Sequence, residues 1–105
     1  MKDLIERLYD ETYSPKITPQ TLLTNLNLSN YSAINYKKET YFLVAYVSCY
    51  LENGSIAEYK YYFKEDLLYK LESEIEGVTE VIYDREIEKQ KLIAQLKRNT
   101  PKKLA

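Results

Sequence analysis

Histidine and tryptophan are absent from this chain, cysteine occurs once, glycine twice and proline three times. Without histidine there is no imidazole for general acid–base work, no serine or cysteine triad, and little scope for a zinc site. A single cysteine excludes a disulfide within the chain. The two glycines, Gly54 and Gly77, are too few and too far apart for a glycine-rich phosphate loop. The longest apolar run, about Tyr41 to Val47, falls well short of the roughly 18 residues that a membrane-spanning helix needs. The start, Met1-Lys2-Asp3-Leu4-Ile5-Glu6-Arg7, interrupts its apolar pair with charge on both sides, unlike the core of a signal peptide. These absences lead us to expect a cytoplasmic protein without a cofactor or membrane association. Its one thiol, Cys49, sits in an apolar stretch and reads as a small reduced hydrophobe.

What is present describes a folded domain. The 105 residues are 45% hydrophobic and 30% charged with a net charge of −1, which is neither a disordered nor a fibrous composition. The length suits one domain, 1–105, with a single modest core.

Along the chain, Leu4, Ile5, Leu8 and Tyr9 recur at helical spacing, predicting a short amphipathic helix over 2–11. Thr18-Pro19 forms a second helix start, a hydroxyl cap followed by proline at the first helical position, with Leu22, Leu23 and Leu26 on one face. Residues 1–30 therefore read as an N-terminal helical segment. Residues 29–38 fit either a third short helix begun by Ser29 or a first strand over Ala33 to Lys37. The strongest signal is 41–63. Two β-branched and aromatic runs flank Glu52-Asn53-Gly54-Ser55, a hairpin signature.

Burial selects the hairpin's register. A two-residue turn would set Cys49 against Glu58 and Val47 against Lys60. A three-residue loop, with Gly54 left-handed and Leu51 opposite Ser55, gathers Leu43, Ala45, Val47 and Cys49 with Ala57, Tyr59, Tyr61 and Phe63 on an uncharged face. The other face then carries Phe42, Val44, Tyr46, Ser48, Tyr50, Ile56, Glu58, Lys60 and Tyr62, part aromatic and part polar. Further on, Leu67, Leu68, Leu71 and Ile75 predict a helix over 65–76 ended by Gly77, then a short strand over Val78 to Tyr83. Asp84 caps a last helix over 85–98, and 98–105 reads as a flexible basic tail. Charge is segregated: residues 65–83 sum to −5 and 84–105 to +4.

Two stretches resemble known motifs. Leu22-Leu23-Thr24-Asn25-Leu26-Asn27-Leu28-Ser29 resembles the first helix and turn of the helix-turn-helix, which implies a recognition helix over 30–38 and a DNA-binding regulator using residues 18–38. Leu23 departs from the small residue usual there, and only Lys37 and Lys38 supply cations, where phosphate neutralisation carries DNA affinity. Glu58-Tyr59-Lys60 resembles the E-x-K element of the restriction-endonuclease-like fold, which implies metal-dependent nuclease chemistry. That site also needs an aspartate on the preceding strand, and 41–51 contains no acid.

Tyrosine is the most distinctive component. There are 12, eight of them between Tyr31 and Tyr62. It buries area while keeping a hydrogen bond, and so favours interfaces as well as core margins. The expectation is an α+β fold. An antiparallel, hairpin-centred sheet of three or four strands would carry helices mainly on one face. Functionally we expect a non-enzymatic protein-interaction module, an adaptor, inhibitor or assembly factor. It would bind another protein, or a second copy of itself, through Phe42, Tyr46, Tyr50, Glu58, Lys60 and Tyr62; nucleic acid is the alternative partner.

Overall fold

A computed structural model describes residues 2–99. It is an α+β structure of three α-helices and five antiparallel strands. The described chain divides into two compact units, residues 15–84 and a helical unit of residues 2–14 with 85–99.

The first unit is a meander. Strands β1 (Tyr31–Glu39), β2 (Phe42–Tyr50), β3 (Ile56–Lys64), β4 (Leu67–Ile75) and β5 (Val78–Asp84) lie side by side in sequence order. The β2–β3 hairpin takes the register that burial selects. Leu43 lies opposite Phe63, Val47 opposite Tyr59 and Cys49 opposite Ala57. Its loop closes with Leu51 N–H donating to Ser55 O at 2.8 Å, and Gly54 is left-handed at φ 87°. Residues 29–38, open between helix and strand in the sequence, are mostly strand β1.

The predicted helix over 65–76 is replaced by strand β4, and the sheet therefore has five strands rather than three or four. The cause is local. Tyr62 pairs with Lys70 but Phe63 pairs with Leu68, so Tyr69 is the extra residue of a β-bulge. The bulge brings Leu68 and Leu71 to one face three residues apart, a spacing that imitates a helix. Beyond it the period of two is plain: Leu71, Ser73 and Ile75 face one way, Lys70, Glu72 and Glu74 the other. Gly77, read as a helix terminator, instead forms the β4–β5 turn with Glu76, at φ 79° and 51°. A left-handed residue serves a helix end and a tight hairpin equally well.

The core lies on the aliphatic face. Ala45, Val47, Cys49, Phe63 and Leu68 are buried there, with Tyr31, Ile34, Tyr36, Tyr59, Tyr61 and Leu71 around them. Its lid is residues 15–24. Helix α2 (Pro19–Thr24) starts as the sequence predicts, with Thr18 Oγ1 accepting from Thr21 N–H at 3.1 Å. It drives Leu22 to complete burial in the core cluster. Tyr36 Oη donates to Pro19 O at 2.7 Å, and Leu68 N–H to Pro15 O at 3.2 Å, fixing the lid to the sheet.

The helix-turn-helix geometry expected over 18–38 does not form. After α2 comes a 3₁₀ turn, Asn25–Asn27, and the stretch meant for a recognition helix is β1. Cross-strand pairing with β2 overrides the weak local helical preference of Ala33 and Ile34.

The helical unit pairs α1 (Lys2–Tyr13) with α3 (Arg85–Asn99), the latter one residue longer than predicted. Leu92 is buried in it, and so is Arg85. Of the predicted flexible tail, Arg98 and Asn99 are helical, while 100–105 lie outside the described residues. No described helix is long and apolar enough to cross a membrane.

Candidate functional site

The second face of the sheet is built by alternation. With the aliphatic set turned toward Leu22, the opposite set is Phe42, Val44, Tyr46, Ser48 and Tyr50 on β2 and Ile56, Glu58, Lys60 and Tyr62 on β3. The register brings the six expected site residues onto this one face: Tyr46 faces Lys60 across the ladder, Tyr50 faces Ile56, and Phe42 lies against Tyr62.

Around Val44 the face packs on itself. Val44 is fully buried although it points away from the lid. Its register partners are Lys37 and Tyr62, and Phe42 contacts Tyr62 edge-on at 5.8 Å and Tyr69 at 6.2 Å. Phe42, Tyr46 and Tyr62 are half-buried, and Tyr50, Ile56, Glu58 and Lys60 are exposed. The face is thus an apolar island shielded by aromatic rings, with an open rim.

Cations and carboxylates hold the rings in place. The ammonium groups of Lys37 and Lys60 sit 5.5 and 5.7 Å from the Tyr46 ring centroid, and Lys70 sits 5.9 Å from that of Tyr62. Tyr46 Oη donates to Glu39 Oε2, and Tyr62 Oη donates to Glu72 Oε1 at 3.1 Å. Glu72 also pairs with Lys70 at 3.2 Å. The hydrogen bond to Glu39 raises the Tyr46 phenol above its ordinary range. Burial, and then the bond to Glu72, pushes Tyr62 up to about 12. Both phenols stay protonated, as donors, throughout the neutral range.

Electrostatically the face is uneven. Glu58 lies directly opposite Glu74, two exposed like charges across the β3–β4 ladder. A shallow depression of about 80 Å³ runs between Tyr46, Glu58, Lys60, Glu72, Glu74 and Thr79. Sites for small organic molecules usually offer roughly 300–1,000 Å³, so this contour suits a side chain of a partner better than an enclosed metabolite.

The nuclease geometry implied by Glu58-Tyr59-Lys60 is not assembled. Ser48 occupies the position opposite Glu58, Lys60 lies over Tyr46, and among the described residues no cluster of three or more His, Cys, Asp or Glu side chains is placed to hold a metal ion.

Lys37, Glu39, Tyr69, Lys70 and Glu72 also belong to this face and were not legible as members of it in the sequence. Three of these lie in the stretch misread as a helix, where the bulge at Tyr69 hides the alternation. Lys37 and Glu39 belong to β1 and its end, left open or unassigned by propensity. Comparison with known proteins gives no matching family model, no matching curated protein and no matching solved structure.

Proposed function

We infer that this protein is a non-enzymatic interaction module, an adaptor, inhibitor or assembly factor. It binds a partner protein, or a second copy of itself, through the face carrying Phe42, Tyr46, Tyr50, Glu58, Lys60 and Tyr62. The observation that carries the reading is the asymmetry of the sheet. Residues 15–24 close the aliphatic face, whereas this face presents half-buried aromatic rings, 51% exposed Tyr50 and 52% exposed Ile56 around buried Val44. Rigid tyrosines ringed by charge supply large contact area at small entropic cost, as interface centres do. Buried Cys49, its thiol pushed up by burial, supports a reduced structural thiol and a cytoplasmic setting.

The test compares the native chain with two double variants. Tyr46→Ser with Tyr62→Ser removes the centre; Tyr50→Ser with Lys60→Glu changes only exposed rim positions. Solution mass separates self-association from a foreign partner, and affinity capture from the native host finds the latter. The expected result is one stoichiometric partner lost with both variants while far-ultraviolet dichroism is retained. Undiminished binding by the rim variant, or unfolding of the centre variant with no effect of the rim variant, sinks the reading.

A further inference from the structure

The two outer strands of the sheet differ in kind. β1 carries Ser32, Ala33 and Asn35 and ends in Lys37, Lys38 and Glu39, the sort of polar and lysine-bearing edge that resists further strand pairing. β5 is the opposite. Every residue from Val78 to Ile82 is exposed, and three of the five are large apolar side chains: Val78 at 66%, Val81 at 51% and Ile82 at 53%. Among the described residues no strand pairs with its outer side. An exposed apolar edge strand is a template for strand addition, which soluble proteins ordinarily suppress.

Charge says what would lie there. Residues 74–80 hold Glu74, Glu76 and Glu80 and no cation, whereas Glu72 is paired with Lys70. Glu74 already faces Glu58 across the ladder. A second copy is disfavoured by the same charge: antiparallel self-pairing of Val78–Ile82 would centre on Glu80 and set it directly against its own equivalent.

We propose that the free edge of β5 takes up an extended, basic segment of another protein as a sixth strand. The backbone groups of 78–82 provide the ladder, and alternate side chains of the segment read the two faces. On the tyrosine-bearing face they meet Thr79 and Val81, which pair with Glu74 and Glu72; on the aliphatic face they meet Val78 and Glu80, which pair with Ile75 and Ser73. The β-bulge between Val81 and Tyr83 bounds the added strand at Ile82. This edge borders the face proposed above and shares Thr79, Glu72 and Glu74 with its depression, but neither reading depends on the other.

Residue-resolved amide hydrogen exchange on the full chain tests it. The probes are an acetylated, amidated Lys-Val-Lys-Thr-Lys-Val peptide and its counterpart with glutamate for every lysine. At about 50 mM salt the basic peptide should slow exchange within Val78–Ile82 by about tenfold or more and leave β1 unchanged, with the effect shrinking as salt rises. The acidic peptide should give no protection, and Glu80→Lys with Val81→Lys should abolish that given by the basic one. No slowing, equal slowing by both peptides, protection at β1, or protection that grows with protein concentration alone would each overturn the proposal. Perturbation confined to the Tyr46 and Tyr62 surroundings would overturn it too, while leaving the face reading standing.

Discussion

Tyr62 on β3 and Glu72 on β4 are tied by a hydrogen bond from the phenol to the carboxylate across the ladder, at 3.1 Å. The bond persists only while the phenol holds its proton, so its contribution depends on pH in one direction. Burial and Glu72 raise the Tyr62 pKa to about 12, from 10.0 for an unperturbed phenol. A group whose folded pKa lies above its unfolded value gives its full stabilisation below the unfolded value and loses it as pH climbs toward the folded one. Tyr36, Tyr46 and Tyr61 are shifted in the same direction. Stability should therefore hold up to about pH 10 and fall between about pH 10 and 12. Denaturation midpoints across that range, with phenolate absorbance in parallel, check this. Tyr62→Phe should flatten part of the decline, and an unchanged decline in that variant would count against the assignment.

Glu58 and Glu74 face each other on the exposed side of the sheet. Like charges directly opposite on antiparallel strands are unfavourable, and an opposite-charge pair is worth roughly 0.2–1 kcal/mol. Glu74→Lys should raise the unfolding free energy by that order, seen as a higher urea midpoint at an unchanged slope, and Glu74→Gln should do so by less. A lower midpoint for Glu74→Lys would show that the acidic pairing is compensated elsewhere.

The β3–β4 turn sets Glu65 and Asp66 at φ 52° and 64°. Both lie in the left-handed region, which residues with a Cβ occupy at a cost and which Asn-Gly occupies readily. Replacing the pair by Asn-Gly should stabilise the protein by about 1 kcal/mol, a rise of roughly 4–8 °C in melting temperature for a domain of this size. A calorimetric scan decides it, and an unchanged or lower melting temperature would refute the strain argument.

In the helical unit, buried Arg85 donates from Nη1 to Glu11 O at 2.5 Å and from Nη2 to Ser14 O at 2.6 Å. These carbonyls close the C-terminal end of α1, where a cation also meets the negative end of the helix dipole. Arg85→Ala should destabilise by about 2–4 kcal/mol through lost hydrogen bonds and an unfilled volume. Arg85→Lys should recover little, because a single ammonium cannot fork to both carbonyls as guanidinium does. Denaturant titration of both variants, with helical ellipticity as the signal, tests this; full recovery by lysine would show that charge alone matters there.

Much of the framework was legible in the residues themselves. Thr18-Pro19 marked the start of α2, and Asn53-Gly54 between two β-branched runs marked the central hairpin. The need to keep Glu58 and Lys60 away from Val47 and Cys49 settled its register, and with it which side chains share the tyrosine-bearing face. What could not be read was β4. Its bulge at Tyr69 turns alternation into a three-residue spacing, and its entry turn, Glu65-Asp66, lacks the Asn or Gly that would announce it. Losing β4 also concealed Tyr69, Lys70 and Glu72.

The sequence alone determined the local choices. It sets the helix starts, the hairpin loop and the division of residues 42–63 into an aliphatic and an aromatic-polar side, because caps, left-handed turns and a period of two act over a few residues. The tertiary structure decided the rest. It made 31–39 and 67–75 into strands, because pairing with β2 and β3 outweighs the undecided preference of the first and the helical pattern of the second. It also set residues 15–24 over the aliphatic side, because Leu22 finds a fully buried place there among Ala45, Val47 and Phe63.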